Sequence, residues 1–207
     1  MNGSVGAVSA LTFGIQVFVT LIVIIDPPGV MPIFLSLVSK YSPEQQRKLA
    51  WKTASVSLLL IIIFALFGQF IVSYLDISMP ALQGAGGLLL LLVSLDLLKG
   101  HDNRSDEDIQ KNLALVPLGT PLLAGPGAIV TIMLFAQDVD SSSMTLALAL
   151  AVVGAHIIIG LTLMFSTHVV SIIKESGVML LAKVAGLLTA AIAFEMLMTG
   201  IKELFSA

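Results

Sequence analysis

The chain of 207 residues is 57% hydrophobic and only 11% charged, with a mean hydropathy of +1.04 and a formal net charge of −3. Soluble domains carry about a quarter charged residues, so this much apolar surface calls for lipid as solvent, and the expected fold class is an all-α polytopic membrane protein. The absence of cysteine excludes disulfides, thiolate metal sites and thiol relays, and no basic stripe or aromatic-interleaved run is present to hold nucleic acid.

Six apolar runs bounded by charge or turn residues predict membrane spans at 11–38, 51–74, 80–98, 113–137, 144–167 and 178–203. The first ten residues contain no Lys or Arg, so the start lacks the basic region of a cleaved signal peptide and the first run is expected to remain as a span. As one straight helix that run would be roughly 42 Å long, against a hydrocarbon core of ~30 Å. Its prolines are therefore expected to break it. Ile22 to Ile25 should close one half-helix, Asp26-Pro27-Pro28-Gly29 should be unwound, and Val30 should open the next.

Span two leads into span three, where Gln83-Gly84-Ala85-Gly86-Gly87 offers small side chains for close helix approach and Gln83 as a polar group able to meet a solute. A charged stretch at 101–112 is expected to be a solvated linker between two halves, 1–100 and 113–207. Span four repeats the pattern of span one. Pro121 to Gly125 should break it and Pro126-Gly127-Ala128 should restart it.

Six of the eight prolines fall in spans one and four. A shift of 98 residues carries Pro28-Gly29 onto Pro126-Gly127, and a shift of 100 carries Ala85-Gly86 onto Ala185-Gly186. The chain thus reads as two copies of a three-span unit. Because three is odd, the copies must enter the membrane from opposite sides, which makes them inverted repeats. Nine of the ten Lys and Arg lie at the ends following spans one, three and five, and only Lys202 lies opposite. The positive-inside rule then places those ends in the cytoplasm and both termini outside.

Non-helical backbone at membrane depth survives only where protein or an internal cavity satisfies it, so two matched breaks imply a shared site near the midplane. Amide N–H groups at Gly29, Val30 and Met31, and at Gly127, Ala128 and Ile129, are expected to be free and to carry the positive ends of two half-helix dipoles. Carbonyls at Val23 to Ile25 and Leu122 to Ala124 supply the negative counterpart. A small zwitterion suits such a site, and amino acids are the obvious zwitterions. Asp26, about midway along the first span, could bind an ammonium group, carry a coupling proton or cap the half-helix after it. Thr131, Thr120, Ser36, Glu195 and His156 are weaker candidates, since hydroxyls often return bonds to their own helix and a lone His in a span is usually structural.

The segments IDPPGVMPIFLSL and PLGTPLLAGPGAIVTIML resemble the two signature segments of the MarC family, which includes the small neutral amino acid transporters called SnatA. The resemblance covers nearly the whole chain. It implies six helices with the first and fourth discontinuous, a prokaryotic inner membrane location, and transport of glycine, alanine and similar amino acids. Carried onto this chain, it places the site at Asp26, Pro27, Pro28 and Gly29 with Gly125, Pro126, Gly127 and Ala128. Export, exchange and proton coupling all fit, and the oligomeric state is left open. A channel is the main alternative, followed by a membrane scaffold. No HExxH, GxSxG or Ser-His-Asp grouping is present, so no enzymatic activity, cofactor or metal is expected.

Overall fold

The computed structural model describes residues 9–99 and 123–206, and every regular element among them is an α-helix. The linker at 101–112 and the first part of predicted span four, with Pro117, Thr120, Pro121 and Leu122, lie outside the described residues.

Helix α1 (Ala10–Ile25) starts at Ser9, whose Oγ accepts the Thr12 N–H at 3.2 Å. It stops at Asp26, which takes the left-handed conformation (φ 47°, ψ 68°) and donates its own N–H to the Ile22 carbonyl at 3.1 Å. Helix α2 (Pro27–Val38) begins at the next residue and is bent by 43° from α1. The break is narrower than the sequence suggests. Pro27, Pro28 and Gly29 are not unwound but form the first turn of α2, because a helix leaves its first amides unbonded and a proline there loses nothing.

Helix α3 (Pro43–Tyr74) starts well before the predicted 51, at a capping box in which Ser42 and Gln45 satisfy each other's backbone amides. Its first turns carry Arg47, Lys48 and Lys52, a polar extension that an apolar-run reading cannot include. Helix α4 (Met79–Lys99) follows. Helix α5 (Pro126–Gln137) starts after Gly125, and α6 (Ser142–Met164) is capped by the Ser141 hydroxyl. Helix α7 (Ser166–Ser206) contains a break at Lys174 (φ 61°, ψ 164°), so its membrane-length part is Ser176–Ser206 and a short helix precedes the predicted start at 178.

Among the described residues four helices, Pro43–Tyr74, Met79–Leu98, Ser142–Met164 and Ser176–Ser206, are long and apolar enough to cross a bilayer, and the bent pair α1–α2 makes a fifth. Leu11, Leu66, Phe70, Leu150, Leu180 and Leu187 all point outward, as side chains do when the surrounding medium is itself apolar.

The interior is built where the helices cross. Phe13, Val17, Leu21 and Ile25 recur every four residues on one buried face of α1 and meet Ala151, Val152, Ala155 and Ile159 of α6 in the main core. Helices α4 and α7 run antiparallel in close contact. A Cβ on Gly87 would stand 2.5 Å from the Leu197 amide nitrogen and 2.7 Å from the Ala193 carbonyl oxygen, and one on Gly200 would stand 2.6 Å from both the Gly84 nitrogen and the Pro80 oxygen. Here the small residues serve backbone-to-backbone packing.

Candidate functional site at the helix breaks

Two helix starts lie in one core. Ile25, Val30 and Met31, flanking the first break, and Leu123, Ala124 and Ala128, flanking the second, belong to the same buried cluster. Their relative depth follows from the Phe13–Phe135 edge-to-face contact, with ring centroids 5.9 Å apart, which pins α1 to α5. At 1.5 Å per residue, Pro126 lies roughly 14 Å inward from that contact and Asp26 roughly 20 Å, a difference of about one helical turn. The Asp26 break and the start of α5 therefore differ in depth by about one turn.

The first break is defined by what its prolines remove. Pro27 and Pro28 lack the N–H groups that would have bonded the Val23 and Ile24 carbonyls. Val23 is repaired from a distance: the Thr189 hydroxyl of α7 donates to its carbonyl at 3.1 Å. The Val30 amide, expected to be free, instead donates to the Asp26 carbonyl at 3.1 Å. Asp26 itself is 3% exposed, and neither carboxyl oxygen has a hydrogen-bond partner among the described residues. The carboxyl group lies over the first turn of α2, so close to Gly29 that a Cβ there would overlap Oδ2. It forms no side-chain cap. An unpaired carboxyl group at the centre of a membrane span costs at least about 2.5 kcal/mol when ionised.

The second break is chemically different. Gly125 caps α5 in extended conformation (φ −64°, ψ 164°) with no side chain to offer, and among the described residues nothing lies within 4 Å of where its Cβ would be. The Ile129 amide is taken by the Gly125 carbonyl at 3.1 Å, so it too is less free than expected, which leaves Gly127 and Ala128 as the amides of the first turn. Gly127 is closed on its other side by Leu90 of α4.

Two predicted site residues are placed elsewhere. Gln83 is half-buried near the start of α4, where its neighbour Gly84 meets Gly200, whereas Gly29 lies beside Ala182; the two places are roughly 27 Å apart along α7. Thr131 is buried, and its hydroxyl turns towards Met196 of α7, 3.7 Å from the sulfur. Ser36 bonds its own helix at the Ile33 carbonyl.

Sequence reasoning missed two polar links. One is Thr189, which nothing but the missing proline amide could have flagged. The other joins α3 to α6: Ser57 Oγ and His156 Nε2 are 3.1 Å apart, both buried, while His156 Nδ1 lies 2.8 Å from the Val152 carbonyl. A carbonyl only accepts, so Nδ1 carries the proton, and in the neutral ring Nε2 accepts from the Ser57 hydroxyl. The reading of His156 as a hydrogen-bonded structural residue agrees with this geometry.

A polar cavity of about 380 Å³ opens at the N-terminal end of α1, lined by Gln16, Asp138, Asp140, Ser141 and Ser143 with Phe13 and Phe135 among its walls. The model of the MarC family of integral membrane proteins matches residues 11–205. The chain belongs to the MarC family. A UPF0056 membrane protein of Methanocaldococcus jannaschii is 34% identical over 199 residues, covering 93% of this chain and 97% of the relative. The MarC protein is also similar to the UPF0056 membrane protein YvbG of Bacillus subtilis, 28% identical with 94% of this chain and 96% of the relative covered, and to YhcE of Escherichia coli, 26% identical with 91% of each covered. MarC relatives thus occur in bacteria and archaea, and this chain is an integral multi-pass membrane protein. No solved structure matches it.

Proposed function

We propose that this MarC protein is a secondary transporter of small neutral amino acids such as glycine and alanine, of the SnatA type, working as an exporter or exchanger by alternating access. The observation that carries the reading is Asp26, a buried carboxyl group without a hydrogen-bond partner among the described residues, at the break of one helix and within about a turn in depth of the break of another. Half-helix ends at mid-membrane are how bilayer proteins hold small charged solutes without a bulk water phase. The reading is of a carrier and not an enzyme, with an amino acid as cargo, a proton as one option for coupling, and lipid as its surroundings.

Alternating access asks for two units that can exchange roles, and the packing supports six helices arranged as two inverted three-helix repeats. Taken span by span, α1–α2 is span one and α5 lies in span four. Exchanging the halves turns the contact of span one with span five (α1–α6) into that of span four with span two (α5–α3), and span three with span four (α4–α5) into span six with span one (α7–α2). Spans one and four, two and five, and three and six map onto themselves, and described helices of all these pairs touch. The Ser57–His156 link joins residues 99 apart, close to the repeat shift, so it lies where the two halves are equivalent. With the distribution of Lys and Arg, both termini face outside an inner membrane and the Asp138–Asp140 cavity opens outward. The Phe13–Phe135 pair then stands between that cavity and the break, as an outer gate.

Counterflow in proteoliposomes tests this. Vesicles loaded with unlabelled alanine should accumulate labelled alanine transiently, and leucine loading should not support it. Conductance without counterflow would favour a channel, and neither activity would favour a scaffold.

A further inference from the structure

The two half-helix starts are not equivalent ligand sites, and their difference fixes how a zwitterion would lie between them. At α2 the chain brings a carboxyl group of its own to the helix start, since the Asp26 side chain lies against Gly29 in the first turn. The same group is 3% exposed and unpartnered among the described residues. Beside it ends α1, whose Ile24 carbonyl has lost the Pro28 amide, so a carboxyl group and the negative end of the α1 dipole meet at the first break, next to the first turn of α2. At α5 the cap is Gly125, which has no side chain of its own, and among the described residues no atom lies within 4 Å of its Cβ position. That end presents amides, and no carboxylate of its own.

We infer that Asp26 sets the polarity of the bound solute: the ammonium group of the amino acid pairs with the Asp26 carboxylate at the first break, and its carboxylate faces the Gly125–Gly127 start of α5. The inference rests on the transport reading above and narrows its substrate class to solutes with a free primary amine. A carboxylate directed at the first break would place two negative groups together with no cation between them. The reverse orientation would also leave Asp26 buried and unpaired.

The test is equilibrium binding to the purified full-length protein of three ligands: alanine, alaninamide, which keeps the ammonium and neutralises the carboxylate, and N-acetylalanine, which does the opposite. On the wild type, alaninamide should bind more tightly than N-acetylalanine; an equal or reversed ranking overturns the assignment. In Asp26→Asn, alanine and alaninamide should weaken by about tenfold or more, as for a lost charge-assisted hydrogen bond, while N-acetylalanine holds or improves. Uniform weakening of all three, or loss confined to N-acetylalanine, overturns it as well. If Asp26→Asn does not fold, the wild-type ranking decides alone. A wild type that binds no alanine at all contradicts the transport reading itself, which separates the two failures.

Discussion

Thr189 and Asp26 show how single residues answer a proline. Pro27 strips a donor from the Val23 carbonyl, and the Thr189 hydroxyl returns one from another helix. Thr189→Val keeps the shape and removes the donor, so it should lower stability by about 1–3 kcal/mol, read as a fall in Tm, with Thr189→Ser close to wild type. Equal Tm values for Thr189→Val and wild type would show that the carbonyl has another partner. Ser57→Ala tests the second buried link: it leaves His156 Nε2 without its hydroxyl, at a similar cost of about 1–3 kcal/mol. An unchanged thermal transition would show that the pair contributes nothing to holding α3 against α6.

At the scale of helices, the break at Asp26 and the helix start at Pro126 were legible, because prolines with glycine inside apolar runs have few other uses. Their extent was not. Proline is costly inside a helix and harmless at its start, so PPG could be read either as unwound chain or as a first turn, and the structure selects the turn, with Asp26 alone left-handed. The start of α3 was hidden for a different reason: its capping box lies among charged residues outside the apolar run that marks the span. Small residues in α4 were legible as packing, but their facing directions were not. Gly87 faces the backbone of α7, whereas Gly84 has open space at its Cβ position among the described residues. Gly87→Ala should therefore cost about 1–3 kcal/mol, and Gly84→Ala no more than ~0.5 kcal/mol. Thermal unfolding of both variants in detergent compares them directly, and equal losses would contradict this register of α4 on α7.

Across the whole molecule, composition alone dictates a lipid-solvated helical protein, and charge distribution suggests its orientation. What sequence could not supply was contact between distant residues: Thr189 with Val23, Ser57 with His156, Phe13 with Phe135. Those pairings depend on how helices cross, and Gln83 was misplaced for the same reason, since an attractive polar residue on a neighbouring span says nothing of its depth relative to the breaks. If the aromatic pair closes the outer route, Phe135→Ala should raise the exchange rate of alanine while sparing its affinity; a lower rate with unchanged folding would contradict a gating role. The central claim is that the space between the two helix starts is a solute site reached from either side of the membrane. The absence of cysteine allows it to be probed with one introduced thiol, and at Gly125 no atom of the described residues lies within 4 Å of the Cβ position. In oriented membrane vesicles, Gly125→Cys should react with an impermeant maleimide applied from each face in turn, and alanine should slow both reactions. Labelling that ignores alanine, or that proceeds from neither face, would contradict the account.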